Sequence, residues 1–177
     1  MGIMRISYID YSIATKSLDI FFSGCLKPYC EGCCNPELAD FNVGTNYEEW
    51  LDKIEEYLNN YGDIIENIFL LGGSLNHQNT EDVDWFFMHL FYGIQAHQKI
   101  WLFAREDLKD IRPSFYVSCD YIKCGEYIPS LTCDNNIQYG IKLATSNQNI
   151  YKRGVDYRIG DHREGFLINE TEEDTNS

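Results

Sequence analysis

The chain has 177 residues, of which 44% are hydrophobic, so it can form one domain with its own core, and we expect that domain to span residues 1–168. Its formal net charge of −14 gives a surface that repels nucleic-acid phosphates and anionic lipids, so neither is an expected partner. No apolar run has transmembrane length and no signal sequence is visible, which predicts a cytoplasmic location. The seven cysteines are then expected to be thiols or metal ligands rather than disulfides.

Strand-like apolar runs alternate with helix-like segments along the chain. The runs with strand character lie, in chain order, at residues 5–9, 19–23, 64–71, 100–103 and 121–123. Thr45 and Glu48 form a capping-box pattern that predicts the start of a helix, and Thr80 is predicted to cap a second helix. This alternation predicts an α/β fold with a parallel sheet built from right-handed βαβ units.

The regular pattern fades toward the end of the chain. A short helix is predicted at residues 107–111 and a loop at residues 131–138. Residues 169–177 carry several carboxylates and no apolar side chain, so we expect a disordered acidic tail there.

The residues that can carry chemistry lie where two successive strands are predicted to end. Cys25, Cys30 and Cys33, with Cys34 beside the last, follow the second predicted strand, and Gly72-Gly73-Ser74 follows the third. In a parallel sheet the carboxyl ends of neighbouring strands meet at one edge, and ligand sites gather there. Thiolates clustered on one short loop can hold a soft metal centre. Three thiolates on a four-iron cluster would leave one iron open to a substrate.

A structural zinc site is the alternative interpretation of the same cysteines. Zinc prefers a closed tetrahedral set of ligands, and Cys30-x2-Cys33 has a suitable spacing. A fourth thiolate would come from one of the remaining cysteines, which are Cys34, Cys119, Cys124 and Cys133. The last three could instead hold a second cluster, but ordinary buried thiols are the expected state. His77 lies close to the glycine pair and is expected to be an exposed loop histidine.

Residues 24–35 read GCLKPYCEGCCN. This string resembles the cluster loop of the radical S-adenosylmethionine enzymes, and most of all their small activating-enzyme branch, which includes the anaerobic ribonucleotide reductase activator. Members of that branch read GC-x3-C-x-GC-x-N. Cys30-x-Gly32-Cys33-x-Asn35 matches this pattern, whereas four residues rather than three separate Cys25 from Cys30.

The resemblance continues downstream in the order of the family. LGGSL at residues 71–75, with Gln78 close behind, is similar to the family's GGDP or GGEP segment. SNQ at residues 146–148 is similar to its C-terminal SNQ segment. The matches span roughly residues 18–151, and several partial matches in the right order are more specific than one motif.

The resemblance implies a small partial (βα) barrel with parallel strands and the cysteine loop at the C-terminal end of an early strand. It implies a 4Fe–4S cluster on Cys25, Cys30 and Cys33 and a site for S-adenosylmethionine. The residues implied to lie beside that ligand are Gly32, Cys33, Cys34, Gly72, Gly73 and Ser74. The family has an acidic residue at the position of Ser74, beside the ammonium group of the ligand.

The activity that the resemblance implies is reductive cleavage of S-adenosylmethionine to a 5′-deoxyadenosyl radical. In the activating enzymes this radical takes a hydrogen atom from a glycine of a partner protein. The implied partners are therefore a glycyl-radical protein, the large subunit of an anaerobic ribonucleotide reductase, and an electron donor such as a flavodoxin or ferredoxin. Two alternatives stay open: a radical enzyme that acts on a peptide or small molecule, and a non-catalytic iron–sulfur or zinc module.

Overall fold

The computed structural model describes residues 2–158, in which strands and helices alternate. The strands of this part of the chain are β1 Arg5–Ser12, β2 Ser17–Ser23, β3 Thr45–Asn46, β4 Asn67–Gly72, β5 Lys99–Phe103, β6 Tyr121–Cys124, β7 Ile137–Gln138, β8 Ile141–Lys142 and β9 Asn149–Lys152. The α-helices are α1 Glu48–Tyr61, α2 Thr80–Gly93 and α3 Pro113–Ser118. All five predicted strands and both long helices are present, with shifted ends.

Four parallel strands, β2, β4, β5 and β6, form the centre of a seven-stranded sheet. The strand order is β3-β1-β2-β4-β5-β6-β9, and β1 and β9 pair antiparallel with their neighbours β2 and β6. The predicted parallel sheet is thus confirmed at its centre, but the expectation of parallel strands is wrong at the edges. β1 and β2 are joined by a short turn, which permits only antiparallel pairing. The described strands do not close into a barrel, and the partial barrel stays a prediction.

Helices α1 and α2 supply apolar side chains to the larger buried core. This core joins Ile20, Leu70 and Leu102 of the central strands with Leu58 of α1 and Phe86 of α2. Burying one such side chain stabilises the fold by roughly 1.5–3 kcal/mol. The core therefore fixes the central strands, and with them the positions at which their carboxyl ends meet.

The starts of both long helices differ from the predictions. Thr45 is not a cap, because it lies in β3 and pairs with Ile6 of β1, and α1 begins at Glu48. Thr80 is the first residue of α2, and the cap is Asn79, whose side chain accepts a hydrogen bond of 2.9 Å from a backbone amide in the first turn. A threonine can occupy a strand or cap the start of a helix. Thr45 lies in a strand because its backbone pairs with Ile6.

The chain after β6 covers part of the opposite face of the sheet. Phe69 and Trp101 of the central strands pack there in a second buried cluster with Leu143 and Ile150. The loop predicted at residues 131–138 contains β7, which pairs with β8. A two-residue strand is too short to produce an alternating pattern that the sequence could reveal.

Three remaining predictions concern the rest of the chain. The short helix expected at residues 107–111 is a 3-10 turn at Leu108–Asp110. The acidic tail at residues 169–177 lies outside the described residues. Among residues 2–158, no helix is both long enough and apolar enough to cross a membrane.

Candidate metal centre

The ends of β2 and β4 meet at one edge of the sheet, as the sequence predicts. Phe22 lies beside Gly72 in the parallel register, and the cysteine loop and the glycine turn begin directly after them. The Gly73 amide donates to the Phe22 carbonyl at 2.7 Å, and the Ser74 amide donates to the Gly24 carbonyl at 3.0 Å. The structure therefore brings together two loops that are about fifty residues apart in the sequence.

Glycine is required where these loops touch. A Cβ atom on Gly72 would lie 2.5 Å from the Phe22 carbonyl oxygen, and the backbone there has a φ of +90°. A Cβ atom on Gly73 would lie 2.5 Å from the backbone nitrogen of Gly24. Both distances are shorter than the contacts that Cβ atoms make in proteins, so the close approach of the loops depends on the glycine pair.

The cysteine loop also closes upon itself. The amides of Gly24 and Cys25 donate to the carbonyls of Leu38 and Ala39 at 2.7 and 2.9 Å, in the 3-10 turn Pro36–Ala39. Gln78, which is 3% exposed, connects this loop to the glycine turn through hydrogen bonds of its side chain. Its side-chain amide lies 3.0, 3.2 and 3.3 Å from the carbonyl oxygens of Ser23, Gly24 and Ser74.

The three predicted cluster ligands line one cavity of about 260 Å³. The residues around it are Cys25, Tyr29, Cys30, Gly32, Cys33, Asn35, Pro36, Ala39, Gly72 and Arg105. Gly32 and Gly72, which the resemblance placed beside the ligand, thus face the same space as the cysteines. Burial raises the pKa of the Cys25 thiol, and the opposing effects of the Ser74 amide and Arg105 do not cancel that increase.

The other predicted ligand-site residues lie around this cavity but do not line it. Cys34 is exposed, and its sulfur accepts a hydrogen bond of 3.4 Å from the Asn35 side chain. Ser74 is 6% exposed, and its backbone amide lies 3.2 Å from the Cys25 sulfur. The Ser74 hydroxyl has no hydrogen-bond partner within the described part of the chain. Gly73 is buried against the cysteine loop.

A comparison with protein families matches residues 16–151 to the model of the 4Fe-4S single cluster domain. The chain belongs to this family. The matched region runs from the residue before β2 to the third residue of β9, and so includes the cavity and its cysteines. No curated protein and no solved structure matched the chain.

Membership of the 4Fe-4S single cluster domain family supports a 4Fe–4S cluster, and the donor set around the cavity fits one. Among residues 2–158, no three His, Cys, Asp or Glu side chains are arranged to hold a single metal ion. The family match, rather than the arrangement of the three thiols, favours the cluster over the zinc alternative.

The remaining cysteines do not join this set. Cys119 and Cys124 belong to the larger buried core, and burial raises the pKa of both thiols. Cys133, which precedes β7, is half-buried, and its backbone amide donates to the carbonyl of Ala144, which follows β8. Cys119 and Cys124 are buried, as expected of ordinary thiols, whereas Cys133 is only half-buried and its role stays a prediction.

The sequence did not identify three polar residues beside the cysteine loop. His77 was expected to be exposed, but its ring is only 10% exposed, its Nδ1 accepts a hydrogen bond of 2.9 Å from the Leu26 amide, and its Nε2 contacts the Glu106 carboxylate. Arg105 donates to the Leu26 carbonyl at 2.7 Å and to the Pro28 carbonyl. The one sequence signal was that residues 105 and 106 come within three residues of the end of β5, a strand that ends at the same edge.

The Glu106 carboxylate is charged in this setting. Burial alone would raise its pKa, but the hydrogen bond from His77, a backbone hydrogen bond and the charge of Arg105 together hold the pKa below its ordinary value. The Arg105 Nε atom lies 3.7 Å from the same carboxylate. A carboxylate, an imidazole and a guanidinium thus stand together next to the cysteine loop.

Proposed function

We propose that the protein is a radical S-adenosylmethionine enzyme that installs a glycyl radical on an anaerobic ribonucleotide reductase. The observation that carries this proposal is the cavity in which three cysteines meet the backbone of Gly72. Among the residues described as lining that cavity there is no fourth thiol. A four-iron cluster held by three thiolates has one iron free for a substrate. The motifs between Gly24 and Gln148, which occur in the order found in the radical S-adenosylmethionine enzymes, imply that this substrate is S-adenosylmethionine.

The protein's own residues would have distinct tasks in this reaction. Cys25, Cys30 and Cys33 would hold the cluster, and the Ser74 amide beside the Cys25 sulfur would stabilise the thiolate through a hydrogen bond. Gly72 would let the backbone approach the methionine end of the ligand without steric obstruction. When bound and reduced, the cluster would supply the electron that breaks the carbon–sulfur bond of S-adenosylmethionine.

The surface beside the cavity suits a protein substrate. The cysteine loop exposes two apolar side chains, Leu26 at 48% and Tyr29 at 51%, and Tyr29 also lines the cavity. Exposed apolar groups at the rim of a site are typical of surfaces that contact another protein. A glycyl-radical subunit could cover this rim while its glycine enters the cavity, and a flavodoxin or ferredoxin would supply the electron.

A non-catalytic iron–sulfur module is the second candidate, and Ser74 is the observation that favours it. The radical S-adenosylmethionine enzymes that the chain resembles have an acidic residue at this position. Here that residue is replaced by a buried side chain that carries no charge. If ligand binding depends on that charge, the cluster could be retained while cleavage of S-adenosylmethionine is lost.

The deciding experiment measures 5′-deoxyadenosine after anaerobic incubation of the iron-loaded protein with a reductant and S-adenosylmethionine. We expect product from the wild type, none from Cys30→Ala, and product from Cys133→Ala, a matched control because Cys133 is a half-buried cysteine that does not line the cavity. An iron-loaded wild type without product would leave the second candidate. With a cognate reductase added, absence of the electron paramagnetic resonance doublet of a glycyl radical would refute the activator role alone.

A further inference from the structure

The exposed stretch of the cysteine loop has little apolar packing to hold it in place. Residues 26–29 are all exposed, and Leu26 and Tyr29 are each about half exposed. Three polar backbone groups in this stretch are nevertheless bound: the Leu26 amide, the Leu26 carbonyl and the Pro28 carbonyl. Their two partners, His77 and Arg105, come from the segments that follow β4 and β5.

We infer that His77, Glu106 and Arg105 form a latch that positions the cysteine loop for the cluster. His77 holds the Leu26 amide, Arg105 holds the two carbonyls, and Glu106 lies between His77 and Arg105 and contacts both. These are positioning residues, since they act on the cluster ligands through the backbone. This inference requires the 4Fe–4S cluster of the single cluster domain family, but it does not require the proposed cleavage of S-adenosylmethionine.

The hydrogen bonds fix the tautomer of His77. Nδ1 accepts the Leu26 amide hydrogen, so it carries no proton, and the ring proton resides on Nε2, where it faces the Glu106 carboxylate. A carboxylate behind a histidine holds the ring in one orientation, as second-shell carboxylates do at metal sites. Glu106 therefore orients the ring that in turn orients Leu26, the residue next to the ligand Cys25.

Arg105 contributes a second point of attachment and a charge. Its guanidinium donates from two nitrogens to two carbonyls of the loop, a fork geometry that a lysine cannot reproduce. It also lines the cavity with the three cysteines. Its positive charge thus faces the space in which the thiolates and the cluster would place negative charge.

Two substitutions of His77 separate the roles of its nitrogens. The Oδ1 atom of an asparagine takes the place of Nδ1, so His77→Asn keeps the acceptor for the Leu26 amide. The terminal amide of a glutamine takes the place of Nε2, so His77→Gln keeps the donor to Glu106 but loses that acceptor. His89→Gln is the matched control, because His89 lies on α2 and its described contact is with the Trp85 ring.

The first measurement is amide hydrogen exchange of Leu26 by NMR in the full chain without iron, which reports on the latch independently of cluster and activity. We expect exchange about three- to tenfold faster in His77→Gln, the factor that one net hydrogen bond supports. His77→Asn and His89→Gln should exchange as the wild type does. Arg105→Lys, a variant in a different side chain, should also accelerate Leu26 exchange and keeps the test valid if His77→Gln does not fold.

The second measurement is the rate at which a chelator removes iron from the reconstituted protein. Loss of an outer-shell partner weakens metal binding by about 10–100-fold, so we expect iron loss at least tenfold faster in His77→Gln and rescue in His77→Asn. Unchanged Leu26 exchange in both His77→Gln and Arg105→Lys would overturn the latch. Faster exchange with unchanged iron loss would overturn its positioning role, because the contacts would then stabilise the loop without serving the cluster.

Discussion

Gln78 is the side chain whose replacement tests most directly how the cysteine loop and the glycine turn are held together. It is buried, and its amide group faces the carbonyl oxygens of Ser23, Gly24 and Ser74. An amide group carries two hydrogens, so it makes about two full hydrogen bonds with these three oxygens. Gln78→Glu preserves the shape but replaces the donor by a carboxylate, which repels all three carbonyls at pH 7.

The magnitude follows from the partners that remain. The carbonyls of Gly24 and Ser74 each keep a backbone donor, from Ser74 and His77 respectively. The variant therefore loses about two hydrogen bonds of about 1 kcal/mol each and gains a repulsive contact, so we expect a loss of roughly 2–3 kcal/mol. For a chain of this length that loss lowers the midpoint of thermal unfolding by roughly 4–12 °C. Near pH 4 a protonated carboxyl regains one donor, and the deficit should shrink.

The assay is thermal and urea unfolding of the iron-free chain, followed by circular dichroism at both pH values. Asn59→Asp is the control, since it adds the same charge at an exposed position of α1 and should cost at most about 1 kcal/mol. If Gln78→Glu unfolds at the wild-type temperature at pH 7, the Gln78 amide does not hold the cysteine loop and the glycine turn together.

Four further outcomes are expected. Gly73→Ala places a methyl group 2.5 Å from the Gly24 nitrogen, so urea unfolding should show a loss of about 1–3 kcal/mol. Glu106→Gln should lower the free energy of unfolding at pH 7 and have less effect at pH 3, because a pKa held below its ordinary value of 4.5 adds stability that is lost as the pH falls through it. Ser74→Asp should tighten the binding of S-adenosylmethionine in calorimetry, since it restores a carboxylate for the ligand's ammonium group. Removal of iron by a chelator should leave the unfolding transition cooperative.

Each of these outcomes has a result that would contradict it. Gly2→Ala, where no atom lies within 4 Å of the added methyl group, should leave stability unchanged, and an equal loss there would refute the steric argument for Gly73. A Glu106→Gln deficit that does not vary with pH would mean that the charge of Glu106 is not stabilising. Unchanged or weaker ligand affinity in Ser74→Asp would argue against its placement beside the ligand. If removal of iron by the chelator unfolds the chain, the fold depends on the iron–sulfur cluster.

The sequence predicted the features that depend on local pattern. Phe22 and Leu70 lie in apolar runs that the sequence predicts to be strands, and the loops after these strands were correctly expected to meet at one edge. The antiparallel partners at the sheet edges could not be predicted in the same way. β3 and β9 are short, and the pairing of Thr45 with Ile6 depends on the position of β1 and not on any property of Thr45 itself.

The polar latch shows a different limit of sequence reasoning. His77 and Leu26 are 51 positions apart, and no periodic pattern relates a histidine to the backbone amide that it accepts. An isolated loop histidine is most often exposed, so the expectation for His77 followed the general tendency and was wrong. The contact between His77 and the Leu26 amide depends on the parallel pairing of β2, β4 and β5, which places the three following loops at one edge of the sheet.

The cysteine loop lies outside the apolar core, and this separates folding from cluster assembly. Cys25, Cys30 and Cys33 belong to neither group of buried hydrophobic residues. The apolar side chains of β2 and β4 belong to these groups. Small zinc domains bury too little apolar surface to fold without their metal, but here the core is complete without the loop. The chain would therefore present a folded, pre-positioned loop to incoming iron and sulfide, and the hydrogen bonds of Gln78 and His77 would determine how well that loop is shaped in advance.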